Sequence, residues 1–248
     1  MITSSQPKAH MFITPGAKAE TIKTGLKYPG LQHQPDQGDN RGRLFQAARR
    51  FLRAQFGRPT GFWGNVVGRI MARTPSNNDR IHWTLSLLDV KPQDRLLEVG
   101  FGPGTAIELL SRIAVEGCVA GCDHSEVMVR QAAKRNAKAI RDGKVILRLG
   151  SASDLPVFEK SFDKIFTINS IHFWTDPIDC LRGLRTLLRP GGLIAVTIQP
   201  RSRSATDAIT QLIGEEIVTN LEKAGFSHCR LEIRKTAPVS VACALGIN

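Results

Sequence analysis

Arg95-Leu96-Leu97-Glu98-Val99-Gly100-Phe101-Gly102-Pro103-Gly104 is the stretch on which the reading of this chain turns. Leu96, Leu97 and Val99, bounded by the turn pair Gln93-Asp94 and by three glycines, predict a buried strand that ends in a tight loop. Glycine at every second position lets the backbone take positive φ and lets a ligand approach the main chain. The following run, Thr105 to Ala114, places Ile107, Leu110 and Ile113 at helical spacing, so the loop also feeds a helix N-terminus. Strand, glycine turn and helix together form the first half of a nucleotide-binding crevice. A tight turn without a ligand uses the same residues, and the rest of the chain has to separate the two.

Glycine spacing discriminates between nucleotides. A dinucleotide fingerprint, G-x-G-x-x-G, needs a third glycine where this chain has Thr105. Glu98 at the end of the strand would repel a pyrophosphate and suits a ligand carrying a cationic or amino group. With the pattern Glu98-x-Gly100-x-Gly102-x-Gly104, the chain resembles the class I S-adenosylmethionine-dependent methyltransferases, in particular the small-molecule and ubiquinone/menaquinone type.

Further motifs follow in order. Cys118 to Asp123 reads as a second buried strand with an acid at its carboxyl end, about 20 residues after the loop, where a Rossmann-like unit places its ribose acid. A carboxylate there can accept both ribose hydroxyls, although Asp123 can equally begin the helix that starts near Ser125. His124 stands beside it. Lys144 to Gly150 predicts a third strand, and Ser161 to Asn169 a fourth. Between them, Ser151-Ala152-Ser153-Asp154-Leu155-Pro156 resembles the family's Gly-Asp-Ala-x-x-Leu-Pro loop, with Ser151 in place of the acid that takes the adenine amino group. Asp176 and Pro177 make an N-cap and first-turn pair for a helix carrying Ile178, Leu181, Leu184 and Leu188. Leu187-Leu188-Arg189-Pro190-Gly191-Gly192, followed by a strand from Leu193 to Ile198, is a further family feature. A helix from about Thr206 to Ala224, Gly225 as its C′ residue, and strands at Cys229 to Lys235 and Val239 to Leu245 complete seven strands.

The resemblance spans residues 86–248 and implies an α/β fold: a Rossmann-like, seven-stranded, mostly parallel sheet with its last strand antiparallel, preceded by an N-terminal helical cap. It implies S-adenosyl-L-methionine as cofactor. Glu98 would orient the methionine amino end, Gly100 and Gly102 line the carboxypropyl group, and Asp123 holds the ribose. Ser151 and the Ala152 backbone would serve the adenine, and the Asn169 carbonyl would meet the amino group.

Upstream, residues 1–40 are rich in Pro, Gly, Lys, Gln and Thr without periodicity, which predicts a mobile extension. Residues 41–88 predict the cap and 89–248 the methyltransferase domain. In the cap, Leu44, Ala48, Phe51, Leu52 and Phe56 share one helical face, with arginines largely off it. Phe62, Trp63, Val66, Val67, Ile70 and Met71 start a second helix. Ser76 or Asn77 would cap a third, which carries Ile81, Leu85 and Leu88.

The formal net charge is +12, and residues 1–60 hold ten Lys/Arg against three Asp/Glu, so most of the excess lies ahead of the predicted domain. The basic helix can pack as a cap or lie on a membrane surface. No aromatic-basic motif supports nucleic-acid binding. Five cysteines, an odd number in apolar contexts, favour buried thiols over disulfides, and no zinc spacing accompanies them. Without a membrane-length apolar run or a secretory signal at the N-terminus, a cytoplasmic protein is expected.

The expected activity is methyl transfer to a small-molecule acceptor. A non-catalytic cofactor-binding or RNA-associated module and a nicotinamide-dependent oxidoreductase are the alternatives. If the acceptor atom is a hydroxyl oxygen, a base is needed, and His172, three residues past Asn169, is the candidate. Phe173 and Trp174 would wall it. Packing, or capping of the helix at Asp176, is the other role open to His172.

Overall fold

A computed structural model describes residues 75–202 and 204–248 of the chain. The predicted extension and the first two cap helices lie outside the described residues. What remains is a seven-stranded sheet in the order β3-β2-β1-β4-β5-β7-β6. Its strands are β1 (Arg95–Val99), β2 (Cys118–Asp123), β3 (Val145–Leu149), β4 (Phe162–Ile168), β5 (Leu188–Ile198), β6 (Ser227–Arg234) and β7 (Val241–Ile247). Strands β1 to β5 pair in parallel, and β7 runs antiparallel to both of its neighbours, as expected for the last strand.

Seven helices flank the sheet among the described residues: α1 (Pro75–Leu88), α2 (Thr105–Ile113), α3 (Glu126–Arg135), α4 (Ala137–Arg141), α5 (Pro177–Leu187), α6 (Asp207–Lys223) and a single 3₁₀ turn, Ile171–Phe173. The strands read as continuous apolar runs because both faces are covered. Leu96, Phe166 and Ala195 pack with α1, α2 and Ala132 of α3 on one face. Leu97, Ile165 and Val196 pack with α5 and α6 on the other. Strand order reverses between β1 and β4, and such a reversal opens a crevice beyond the carboxyl ends of the strands. No helix among the described residues is long and apolar enough to cross a membrane.

Helix signals were legible where a side chain caps. Ser125 accepts from the Met128 amide, Asp176 from Asp179 with Pro177 next, and Thr206 from Ile209. The boundaries of two elements differ from the readings. Helix α1 already includes Pro75, Ser76 and Asn77, so neither expected cap, Ser76 nor Asn77, is its N-cap. Ile113 ends α2 as its spacing predicts, but is 43% exposed, whereas Ile107 and Leu110 are buried. Strand β5 begins at Leu188 rather than Leu193. Phe162 pairs with Leu188 and Lys164 with Leu193, so Arg189 to Gly192 form a bulge. Gly191 takes a φ of 72° there, and Asn248 closes the bulge through bonds of 2.8 and 2.9 Å to the two glycines.

At the amino ends of β1 and β4, opposite the crevice, a buried clasp sets their register. Lys164 Nζ donates to Asp94 Oδ2 and to the Asp89 carbonyl, each at 2.6 Å, and Asp94 also accepts from the Lys91 amide at 2.7 Å. Both partners of the ion pair are largely buried. Removing one leaves the other charge without its counterion in a poor solvent. Lys164→Met should therefore destabilise the fold by about 3 kcal/mol, and Lys164→Met with Asp94→Asn should recover part of the loss. Urea unfolding measures both; equal stability of Lys164→Met and wild type would show that the pair contributes nothing.

Candidate active site

The glycine loop leaves β1 with the Gly100 amide donating to the Cys122 carbonyl at 2.8 Å, which extends the parallel ladder one residue past the strand. Gly100, Gly102 and Gly104 all have positive φ, at 77°, 52° and 75°. Their reasons differ. A Cβ on Gly100 would overlap the Ser170 side chain, 2.7 Å from its Cβ, and one on Gly104 would sit 2.6 Å from the Cβ of Ala132 in α3. A Cβ on Gly102 meets nothing within 4 Å. Packing against the protein thus requires two of these glycines, and only Gly102 leaves its missing side chain to open space.

Asp123, at the end of β2, is 5% exposed. Its Oδ2 accepts from the Gly102 amide at 2.8 Å and its Oδ1 from the Ser125 amide at 2.9 Å. Burial raises its pKa, against the pull of these two amides and of His124, whose Nδ1 lies 3.7 Å from Oδ1 on a half-exposed ring. Asp123 stands two residues ahead of Ser125, the N-cap of α3, and its two oxygens tie the glycine loop to that turn. Glu98, 4% exposed, has an Oε2 with no hydrogen-bond partner. Burial, and then the charge of Asp123, raise its pKa well above the usual carboxylate range. A buried carboxyl oxygen left unsatisfied beside a second carboxylate fits a ligand that brings a cationic donor.

Beyond β3, the Ser151 hydroxyl accepts from the Asp154 amide at 3.1 Å and lies 3.0 Å from the Ser153 hydroxyl. It serves the loop's own turn. Ala152 is buried within the core.

Beyond β4, Asn169 takes a left-handed φ of 54°, a conformation that Asn tolerates better than most residues. Its amide donates to the Thr197 carbonyl at 2.9 Å, and its side-chain Oδ1 accepts from the Gln199 amide at 2.7 Å. His172 follows in the 3₁₀ turn, its ring 4.0 Å from that of Phe173. Burial, and then the charge of Arg201, push its pKa down to about 4. Trp174 is buried and donates from Nε1 to Ser170 Oγ at 3.2 Å, whereas Phe173 is 43% exposed.

Every residue singled out from sequence lies at the carboxyl end of β1, β2, β3 or β4. Gly102 is hydrogen-bonded to Asp123, Glu98 lies within range of the Asp123 charge, and a Cβ on Gly100 would meet Asn169's neighbour, Ser170. Sequence reasoning missed Ser170, Gln199 and Arg80. For Gln199 a signal existed: it follows the fifth predicted strand at the same end.

A strand, an open glycine turn and an acid at the end of the next strand, on a sheet of this order, define a nucleoside-binding α/β enzyme. A family model described as a methyltransferase domain matches residues 97–196. The "Uncharacterized methyltransferase YdaC" of Bacillus subtilis is 30% identical over 179 residues, covering 72% of this chain and 96% of that protein. The chain belongs to the class I S-adenosylmethionine-dependent methyltransferases. It is an enzyme of that class, with S-adenosylmethionine as its cofactor. The 27-O-demethylrifamycin SV methyltransferase of Amycolatopsis mediterranei is 31% identical over 137 residues, covering 55% of this chain and 48% of that protein. In fold, the chain is similar to a SAM dependent methyltransferase from Aquifex aeolicus, with a TM-score of 0.60 at 19% identity, covering 74% of this chain and 97% of that one.

The depressed basicity of His172 has a signed consequence. Between its ordinary pKa of 6.5 and the folded value of about 4, the unfolded chain binds a proton that the folded chain refuses, so stability falls as pH falls through that window. This group should cost about 2 kcal/mol on going from pH 7 to pH 4.5. His172→Gln should flatten the profile by that amount in urea titrations. An unchanged acid profile would mean that His172 titrates normally.

Proposed function

We propose that this chain transfers the methyl group of S-adenosylmethionine to a small-molecule acceptor. The observation that carries the reading is the unsatisfied Oε2 of Glu98, at the end of the strand that leads into the open glycine turn at Gly102. When bound, the cofactor supplies a methyl group on a sulfonium, an electrophile that needs alignment more than activation. Glu98 and the Asn169 carbonyl would hold the ammonium of the methionine end. Gly100 and Gly102 would present backbone to the carboxypropyl chain. Each oxygen of Asp123 accepts one amide and keeps a further lone pair for a ribose hydroxyl, with His124 at the rim. Since the Ser151 hydroxyl is engaged in its turn, the Ala152 backbone is the better partner for the adenine edge.

A small acceptor is supported by the relative that acts on a rifamycin. For a hydroxyl acceptor, His172 would take the proton. With its pKa near 4 it is neutral at pH 7 and weakly basic. His172→Ala should lower turnover about 10²–10⁴-fold while leaving cofactor affinity intact; full turnover would remove it from the chemistry. We place the protein in the cytoplasm, since its five cysteines are all free thiols.

Calorimetry with S-adenosylhomocysteine tests the cofactor site. Burial raises the Glu98 pKa and an ammonium beside it lowers it, so binding should be accompanied by proton release. The binding enthalpy should then depend on the buffer's ionisation enthalpy. Below the pKa of the unliganded group, affinity should rise with pH, by up to about tenfold per unit. Glu98→Gln should abolish the buffer dependence and weaken binding about 10–100-fold. Binding that releases no proton and tolerates Glu98→Gln would remove Glu98 from the site.

A further inference from the structure

We propose that Gln199 is a positioning residue that couples the docking of α1 to the cofactor crevice through Asn169. The inference rests on the reading above in which the Asn169 carbonyl meets the cofactor. Gln199 lies one residue past the end of β5, beyond the reach of the strand ladder, and is 5% exposed. Three bonds to three separate parts of the chain hold it. Its Oε1 accepts from Arg80 Nη1 of α1 at 2.5 Å, its Nε2 donates to the Val239 carbonyl at 2.9 Å, and its amide donates to Asn169 Oδ1 at 2.7 Å. The side chain of Gln199 therefore places the very amide that holds Asn169 in its left-handed conformation.

A second bond runs alongside. Thr84 of α1 shares a 2.8 Å hydrogen bond with Thr197, whose carbonyl receives the Asn169 amide. Both ties leave the same face of α1, one turn apart, and end on the side chains of the two residues whose backbone groups bond Asn169. Packing alone does not call for this chemistry. Ile81, Leu85 and Leu88 already anchor α1 to the core, and an apolar side chain would fill the place of Arg80 without the cost of burying a guanidinium. That burial, together with the charge of Arg201, pushes the Arg80 pKa down to about 9. A retained buried polar network of this kind specifies geometry.

Coupling is reciprocal. If α1 sets the carbonyl that the cofactor uses, then the cofactor must favour docked α1 by the same factor. With all variants verified as folded by circular dichroism, Gln199→Met and Arg80→Met should each weaken S-adenosylhomocysteine binding about tenfold. The double variant should be no weaker than either alone. Asn169→Gly, which keeps the backbone conformation and loses Oδ1, should match them. In wild type, S-adenosylhomocysteine should slow amide hydrogen exchange in α1; in Gln199→Met it should not. Lys164→Met, at the far end of the sheet, should lose stability and keep affinity.

Wild-type affinity in Gln199→Met, with α1 still responding to ligand, overturns the coupling and leaves the cofactor reading standing. An affinity loss of equal size in Lys164→Met would reduce Gln199 to a general stabiliser and also overturn it. Absence of binding by wild type itself would take down both readings. If Arg80→Met does not fold, Gln199→Met and the exchange measurement decide alone.

Discussion

One hydrogen bond organises the crevice: the Gly102 amide donating to Asp123 Oδ2 at 2.8 Å. It ties the loop after β1 to the end of β2 and keeps a buried carboxylate at the opening of the site. Everything near it is arranged around the cost of that carboxylate. The Ser125 amide shares the charge and begins α3, while Glu98, within range of the same charge, is driven toward its neutral form. The pair would be a liability in a protein without a cationic ligand, which is why it reads as function rather than as packing.

The two ends of the sheet divide the work. At the amino ends, Lys164 and Asp94 form a satisfied ion pair with no polar group left over, and this lives on the level of stability. At the carboxyl ends lie the unsatisfied Glu98 oxygen, the left-handed turns at Gly100, Gly102 and Gly104, and left-handed Asn169. An unpaired buried carboxyl oxygen is costly, and a ligand that donates to it would remove that cost.

Helix α1 connects these levels. Its apolar side joins the core through Ile81, Leu85 and Leu88, and its polar residues Arg80 and Thr84 reach the ends of β5. A segment read from sequence as part of a cap is thus tied by hydrogen bonds to the carboxyl end of β5. Its partner contacts span 113 and 119 residues of chain.

Much was legible before the fold was known. Apolar runs ending in glycine or acid marked the strands, capping residues marked α3, α5 and α6, and the spacing of Glu98, Gly100, Gly102 and Asp123 marked the ligand class, because each is a local signal carried within a few residues. Only the tertiary structure decided which glycine faces open space, since that depends on Ser170 and Ala132 arriving from elsewhere. It also decided that Ser151 spends its hydroxyl on its own turn and that Gly191 forms a bulge. The basicity of His172 and the role of Gln199 were invisible for the same reason. Burial, charge and hydrogen-bond partners are set by chain segments far apart in sequence, and no periodicity within one segment encodes them.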